Sequence, residues 1–331
     1  MSEEVIIKYS TRFKKLRCAY VKGMGKAPHK PILLLTIIQL VAKGIITTNR
    51  IFITAELMLA FKQNWNQLVE TDHKRNFSLP FFHLRSEPFW YLVAKPGKGI
   101  ITTSSKSIKS FKNLKETIAF AEIDRELFLL LQEVPNQLWF EQLILENYFP
   151  NWKSAYLRPE RNYEEESIEN EILNEPKEVY QSHIRRLKET LEEDEYEEEL
   201  FVRGGLFKKT IPRLYDHTCC ITGMKIQSSH SLQMIDACHI YPFSLSGDDT
   251  VTNGIALSPT MHRAFDRGLI TINSSFLVRI SPSKKMIQNS PFLNLKENKL
   301  FSPRRKIIFL LKSHCNGIIK KSFFFRKVSL L

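Results

Sequence analysis

The sequence has no Cys-x-x-Cys pair; its five cysteines are Cys18, Cys219, Cys220, Cys238 and Cys315. A standard zinc ribbon is therefore unsupported, and an odd thiol count without a secretion signal argues against a disulfide framework. A long apolar run is also missing. A membrane-spanning helix needs ~20 apolar residues, whereas the longest candidate, Pro31 to Ala42, is shorter and interrupted by Gln39. The opening Met1-Ser2-Glu3-Glu4 lacks the basic start and apolar stretch of a signal peptide, so a cytoplasmic protein with no membrane partner is expected. Glycine is scarce, at 12 of 331 residues, while 43% of residues are hydrophobic and 25% charged. That composition excludes global disorder, and the length suits two domains or three. No internal repeat is visible.

Charge is abundant and unevenly placed. The net charge is +13, yet residues 159–200 hold sixteen acidic and five basic residues, which leaves +24 on the rest of the chain. Such a basic excess points to a polyanionic partner, because phosphate neutralisation supplies most non-specific affinity for DNA. The acidic segment itself reads as a solvated linker or charged helical arm, with helix expected over Val179 to Leu191. Complementary charge gives it a second reading, as a DNA mimic that shields the basic surfaces.

Three regions follow: 1–155, 156–200 and 201–331. In the first, Ile32 to Ala42 has helical length, with Pro31 in the first turn and Gly44 as the stop. Thr54 caps a helix from Ala55 to Leu68 that has Glu56 in its first turn. Phe81 to Arg85 and Phe89 to Val93 are predicted as strands around the turn Ser86-Glu87-Pro88. Helices are predicted at Leu114 to Phe120, Arg125 to Gln132, and Asn136 to Tyr148, the last ending before Pro150. The third region opens at Gly204-Gly205 with a helix from Phe207 to Tyr215. It closes on a basic, aromatic tail, Arg304 to Leu331, containing Lys320-Lys321 and Phe323 to Arg326.

The chemistry concentrates between Asp236 and Asn273. An apolar strand, Leu232 to Cys238, ends in His239. A polar loop, Ser244 to Asp249, follows. Asn253 to Leu257 is a second short strand, Pro259 begins a helix carrying His262 and Asp266, Gly268 ends it, and Leu269 to Ile272 is a further strand. His239 suits a general base, since a neutral imidazole near physiological pH can take a proton from water. Asp266 lies four residues after His262 and shares its helix face, so the two can chelate one ion. Each residue has a plainer reading: a buried histidine, an Asn-Gly turn, a core phenylalanine at 265.

The order His239, Asn253, His262 on strand, loop and helix resembles the HNH nucleases. The flanking pieces Cys219-Cys220-Ile221-Thr222-Gly223 and His262-Arg263-Ala264-Phe265-Asp266-Arg267-Gly268 resemble one bacterial subfamily of them. The resemblance implies a fold of two strands and a helix around one metal ion. It implies that Asn253 holds and polarises the His239 imidazole through its side-chain carbonyl, that His262 is a helix-borne metal ligand, and that the substrate is DNA; Arg263 is a candidate DNA contact on the same helix. Oxygen-rich ligation suits Mg2+ or Mn2+, and histidine also allows Zn2+ or Ni2+. Many relatives place Asp or His just before the base. This chain has Cys238 there, a poor magnesium ligand, so Asp236, two residues back on the same side of the strand, is the expected substitute.

In the first region, Ala27 to Leu35, Phe81 to Ser86 with Phe89-Trp90, and Asn147 to Pro150 resemble the DNA sulfur-binding domain at the front of some Mcr-type, type IV restriction endonucleases. That resemblance implies a reader of phosphorothioated double-stranded DNA. A shallow apolar cup desolvates sulfur more cheaply than a phosphate oxygen. Phe149 and Pro150 are the candidates for the cup and Tyr148 for its rim. Arg85 and His83 are candidates for flanking phosphates and guanine edges, and His29 and Lys30 for backbone contact at a helix start.

The sequence therefore reads as an α+β protein: a mixed helical and short-strand DNA reader, an acidic linker, and a C-terminal ββα-metal nuclease domain. The expected activity is that of a modification-dependent restriction endonuclease. A homodimer is also expected, because one HNH site cuts one strand at a time. The rival readings are an HNH enzyme that reads another base mark, and a modified-DNA-binding protein whose metal site has decayed at Cys238.

Overall fold

The computed structural model describes residues 3–98, 108, 110–151, 156, 162–225, 234–273, 277–281 and 300. The basic tail from Arg304 and the expected strand start at Leu232 lie outside these residues. The chain divides into two compact units, one formed by residues 1–165 with 191–202, the other by 166–190 with 203–331.

The first unit is built around α2 (His29–Ala42), in which every residue from Lys30 to Val41 is buried. A helix apolar on all sides belongs in a core. Gly44, at φ +67°, ends it in the left-handed conformation that glycine adopts without strain. Around α2 pack α3 (Ala55–Leu68), α4 (Ser78–His83) and α7 (Val134–Tyr148), with α1 (Glu3–Lys14) against α7 and α6 (Arg125–Leu131) beside both. The Thr54 side chain accepts from the Leu57 amide and opens α3 at the residue the cap predicts. Inside, Asn64 donates to Thr36 (3.0 Å) and Gln39 (2.8 Å), so these buried polar groups satisfy one another. A small antiparallel pair, β1 (Tyr20–Val21) and β2 (Gly25–Lys26), precedes α2. A three-stranded antiparallel sheet runs β3 (Arg50–Ile51), β5 (Ile118–Ile123), β4 (Trp90–Ala94).

Two expectations are corrected here. Phe81 to Arg85 is not a strand: it belongs to α4 and to a short 3-10 turn over Leu84–Ser86. Phe77, Phe81 and Leu84 are all buried, at the i, i+4, i+7 spacing of a helix face, and Pro80 sits in a first turn that needs no amide from it. The helix predicted over Leu114 to Phe120 is α5 (Phe111–Thr117), and it gives way at Ile118 to the central strand β5. Pairing with β4, Ile118 to Ala94 and Phe120 to Val93, decides the conformation of this stretch.

The acidic stretch forms α8 (Tyr163–Asn174), α9 (Lys177–Thr190) and the first part of α10 (Glu193–Leu214). Ile168 and Ile172 on α8, and Tyr180 and Ile184 on α9, are buried pairs four residues apart. The stretch thus carries its own apolar stripes, and its helices are shared between the two units.

In the second unit, β6 (Asp236–His239) pairs antiparallel with β7 (Gly254–Leu257), and α12 (Pro259–Asp266) packs on both. A one-turn helix, α11 (Phe243–Ser246), and a 3-10 turn, Val251–Asn253, lie in the connection from β6 to β7. β8 (Ile270–Ile272) and β9 (Val278–Ile280) form a second hairpin. The Asn253-Gly254 pair is not a two-residue hairpin turn. Gly254 already pairs with His239, and a Cβ on it would overlap the Ile211 and Phe207 side chains of α10. Glycine is required there by close approach.

Candidate active site

Antiparallel pairing sets His239 at the end of β6 opposite Gly254. Because Gly254 has no side chain, α10 comes close enough for Phe207 to stack on the imidazole, with ring centroids 4.1 Å apart and planes 3° apart. His239 Nε2 lies 2.7 Å from Asp249 Oδ1. The Asp249 side chain is 2% exposed and that of His239 26%. A buried carboxylate on one ring nitrogen fixes the tautomer and leaves the other nitrogen to accept a proton.

Asp249 corrects the expectation for Asn253. The Asn253 carbonyl oxygen does not hold the imidazole; it accepts from the Tyr241 amide at 2.8 Å. Its amide donates to Tyr241 O (2.9 Å) and Asp248 O (2.8 Å). Asn253 therefore ties both ends of the loop that presents Asp249 to the His239 ring. The Asp248 carboxylate, accepting from the Thr250 amide and hydroxyl at 2.9 and 2.7 Å, shapes the same loop. The only sequence signal for Asp249 was its place in a polar loop, which reads equally well as turn chemistry. Phe207 had none, being an apolar residue on a helix 32 positions away.

The second cluster starts from the neighbouring residue. Cys238 is buried and lies on the same strand as Asp236 at i+2, so the two share a face. His262 and Asp266 project from one face of α12. Asp236 Oδ2 is 3.1 Å from His262 Nδ1, and Asp266 Oδ2 is 3.2 Å from His262 Nε2. One donor atom each from Cys238, His262 and Asp266 lie within 4.8 Å of one another. Asp236, the expected third ligand, meets the imidazole at Nδ1, across the ring from Asp266, and the third donor in the converging group is that of Cys238. A thiol sulfur, an imidazole nitrogen and a carboxylate oxygen fit a divalent cation of intermediate softness. Arg263, next on the helix, is exposed.

Residues 219–273 match the family described as HNH endonuclease. This segment is an HNH endonuclease domain. No curated protein matches the chain. An HNH domain implies a DNA substrate and a divalent cation, and the two clusters on β6 and α12 lie within the matched span. So do Cys219 and Cys220, both buried, which begin a turn closed by Gly223 N to Cys219 O at 2.9 Å. The Cys220 amide bonds Ala256 O, fastening this turn to β7 of the HNH domain. Burial pushes the Cys220 thiol well up, as do the neighbouring thiols of Cys219 and Cys238.

The DNA-contact candidates outside the HNH domain separate into three groups. Tyr148, Phe149 and Pro150 line one surface pocket of about 220 Å3 with Lys26, Pro28 and Glu70. Phe149 is buried and Pro150 exposed, while the Tyr148 hydroxyl donates to Phe13 O at 2.8 Å. His83 is exposed and Arg85 half-buried, its guanidinium 4.1 Å over the Phe82 ring. Partial desolvation of the ring, then the Arg85 and Lys30 charges, lower the His83 pKa from its usual value. His29 and Lys30 face inward, contrary to expectation. His29 Nε2 meets Lys74 O at 2.9 Å beside Trp65, and Lys30 Nζ is 2.7 Å from Glu87 in a pair with side chains 8% and 5% exposed. An ammonium enclosed with its counter-ion is not presented to a phosphate. No helix among the described residues is long and apolar enough to cross a membrane.

Proposed function

We propose that this chain is a modification-dependent restriction endonuclease: residues 1–155 bind phosphorothioated double-stranded DNA, residues 156–200 connect, and residues 201–331 hydrolyse phosphodiester bonds with a one-metal HNH site. The observation that carries the catalytic part is the His239–Asp249 pair, presented next to the Cys238–His262–Asp266 donor cluster on one short strand. His239, its tautomer held by Asp249, takes the proton of the attacking water. His262 and Asp266 would hold a divalent cation, which supplies charge stabilisation for the scissile phosphate and the departing 3′-oxygen. Arg263, exposed beside them, meets the DNA backbone. Phe207 stacks against the imidazole and limits its rotation. Two copies of the chain, each cutting one strand, would make a double-strand break.

The reader assignment is supported by the pocket at Tyr148–Pro150. Pro28, Leu68, Val69, Phe149 and Pro150 give it apolar walls, and Lys26 adds a cation at its edge. Such walls desolvate sulfur at less cost than a phosphate oxygen. His83 and Arg85 serve a base edge or flanking phosphate.

Glu70 favours a second reading. Its carboxylate lines the same pocket and accepts from Asn151 at 3.1 Å, a poor neighbour for any phosphate. An HNH nuclease that reads a base mark, with the carboxylate accepting from a base amino group, fits that feature better.

Matched duplexes with and without one phosphorothioate, in gel-shift titrations at fixed salt, separate the two. Tighter binding of the sulfur-bearing duplex, lost in Pro150→Asp, is the expected result. Equal binding of the two duplexes overturns the sulfur reading and leaves the nuclease assignment standing.

A further inference from the structure

Resting on the nuclease reading of this site, we propose that Cys238 is a metal ligand through its thiolate, and that the centre selects cations which bind sulfur (Zn2+, Co2+, Ni2+) over Mg2+.

Strand geometry places the sulfur. Asp236 and Cys238 alternate with Ala237 and His239, so the carboxylate and the thiol share the strand face that meets His262 of α12, while His239 is turned to Phe207. Pairing of Cys238 with Ile255 and of Asp236 with Leu257 fixes this register. A slip of one residue would exchange the two sets.

The donors already converge. Bonds of about 2.3 Å to sulfur and roughly 2.0–2.2 Å to nitrogen and oxygen place donors around one tetrahedral ion ~3.3–3.8 Å apart. The Cys238, His262 and Asp266 donor atoms lie within 4.8 Å of one another, so small side-chain rotations bring them to those separations. Three protein donors leave a fourth position for water or a phosphate oxygen, the arrangement of a catalytic site.

The imidazole is oriented for this role. Asp236 meets His262 Nδ1 at 3.1 Å, while Nε2 faces Asp266 at 3.2 Å. A carboxylate on Nδ1 fixes the proton there and leaves the Nε2 lone pair to the cation.

Sulfur then sets the preference. Mg2+ takes oxygen ligands in octahedral geometry and dehydrates reluctantly. A buried thiolate, with an imidazole and a carboxylate, matches ions that accept sulfur and tolerate four-coordination. Cys238 is 1% exposed and its thiol donates to His239 O at 3.5 Å, a weak contact that ligation of the thiolate would replace.

Cobalt titration of the full chain under anaerobic conditions reads this directly. A sulfur-to-cobalt charge-transfer band in the near ultraviolet should appear with the visible ligand-field bands. In Cys238→Ser the charge-transfer band should vanish. Asp236→Asn should keep it but weaken cobalt affinity by about 10–100-fold. X-ray absorption on the zinc-loaded wild type should show one sulfur neighbour, which keeps the test independent of whether the variant folds. Ligand-field bands without charge transfer, a band that survives Cys238→Ser, or an oxygen- and nitrogen-only shell overturns the proposal. So does failure of the wild type to bind cobalt at all. The two readings fail separately. His239-dependent nicking in Mg2+ with no sulfur signal removes the thiolate ligand and keeps the nuclease. A sulfur signal with no nicking in any cation does the reverse.

Discussion

The Nε2 of His239 stands 2.7 Å from the Oδ1 of Asp249, across a loop whose two ends are tied by Asn253. The enclosed carboxylate gives His239 its acceptor nitrogen. Asp249→Asn keeps the shape and removes the charge, so the amide can hold the wrong tautomer. Nicking should fall by about 10²–10⁴-fold, the range for losing a positioned base, with DNA affinity in gel-shift unchanged. A parallel loss of affinity would mean that Asp249 shapes the DNA surface instead.

Lys30 illustrates a residue whose sequence context and environment disagree. His29-Lys30-Pro31 opens a helix, as a backbone-binding segment would, yet the ammonium is enclosed with Glu87 and also donates to Ser86 at 2.8 Å. Lys30→Met leaves the Glu87 carboxylate buried without its counter-ion. Urea unfolding should show a loss on the order of 3–5 kcal/mol. DNA binding by the folded fraction, measured at several salt concentrations, should keep its salt dependence.

Gly254→Ala places a methyl group against Ile211 and Phe207, where there is no room for it. Overpacking of this kind costs about 1–3 kcal/mol. It should also displace Phe207 from the His239 ring, so nicking should fall together with the unfolding midpoint. Ile211→Val in the same chain should recover part of both. A double variant no better than Gly254→Ala alone would place the strain elsewhere.

Glu198 gives the fold a pH dependence. Burial lifts its carboxyl to about 7, against the opposing effects of Arg75 and the Phe77 amide. The folded-state pKa is raised above the unfolded value, so the folded state holds the extra proton between the two. The stability contribution is fully present below roughly pH 4.5 and is lost as pH rises through about 7. Its full size is on the order of 3 kcal/mol. Wild type should lose this increment over that interval in urea titrations, and Glu198→Gln should not. Identical slopes for the two proteins would remove Glu198 as the source.

Much of the fold was legible from the sequence because its signals are local. Thr54 gives the first residue of α3 and the periodicity after it gives the helix, and His262 with Asp266 are placed on one face by helical spacing alone. The parts that were not legible depend on distant partners. Phe81-Phe82-His83-Leu84-Arg85 alternates like a strand, and only Phe77 and the surrounding core make it a helix. The Lys30–Glu87 pair joins residues 57 apart, and Phe207 reaches His239 from another helix. In the site, the order His239, Asn253, His262 was visible. The division of labour was not, since Asp249 does for the imidazole what Asn253 was expected to do. Likewise the donor atom that converges with His262 and Asp266 is that of Cys238, while the Asp236 carboxylate meets His262 Nδ1.

On the proposed reading this chain cuts DNA with His239 as the base. Nicking of supercoiled plasmid, followed over time in Mg2+, Mn2+, Co2+, Ni2+ and Zn2+ for the wild type and His239→Ala, tests it most directly. The expected result is chelator-sensitive conversion to open circles by the wild type in at least one cation, at a rate about 10²–10⁴-fold above that of His239→Ala. Equal rates for the two proteins in every cation would contradict the claim.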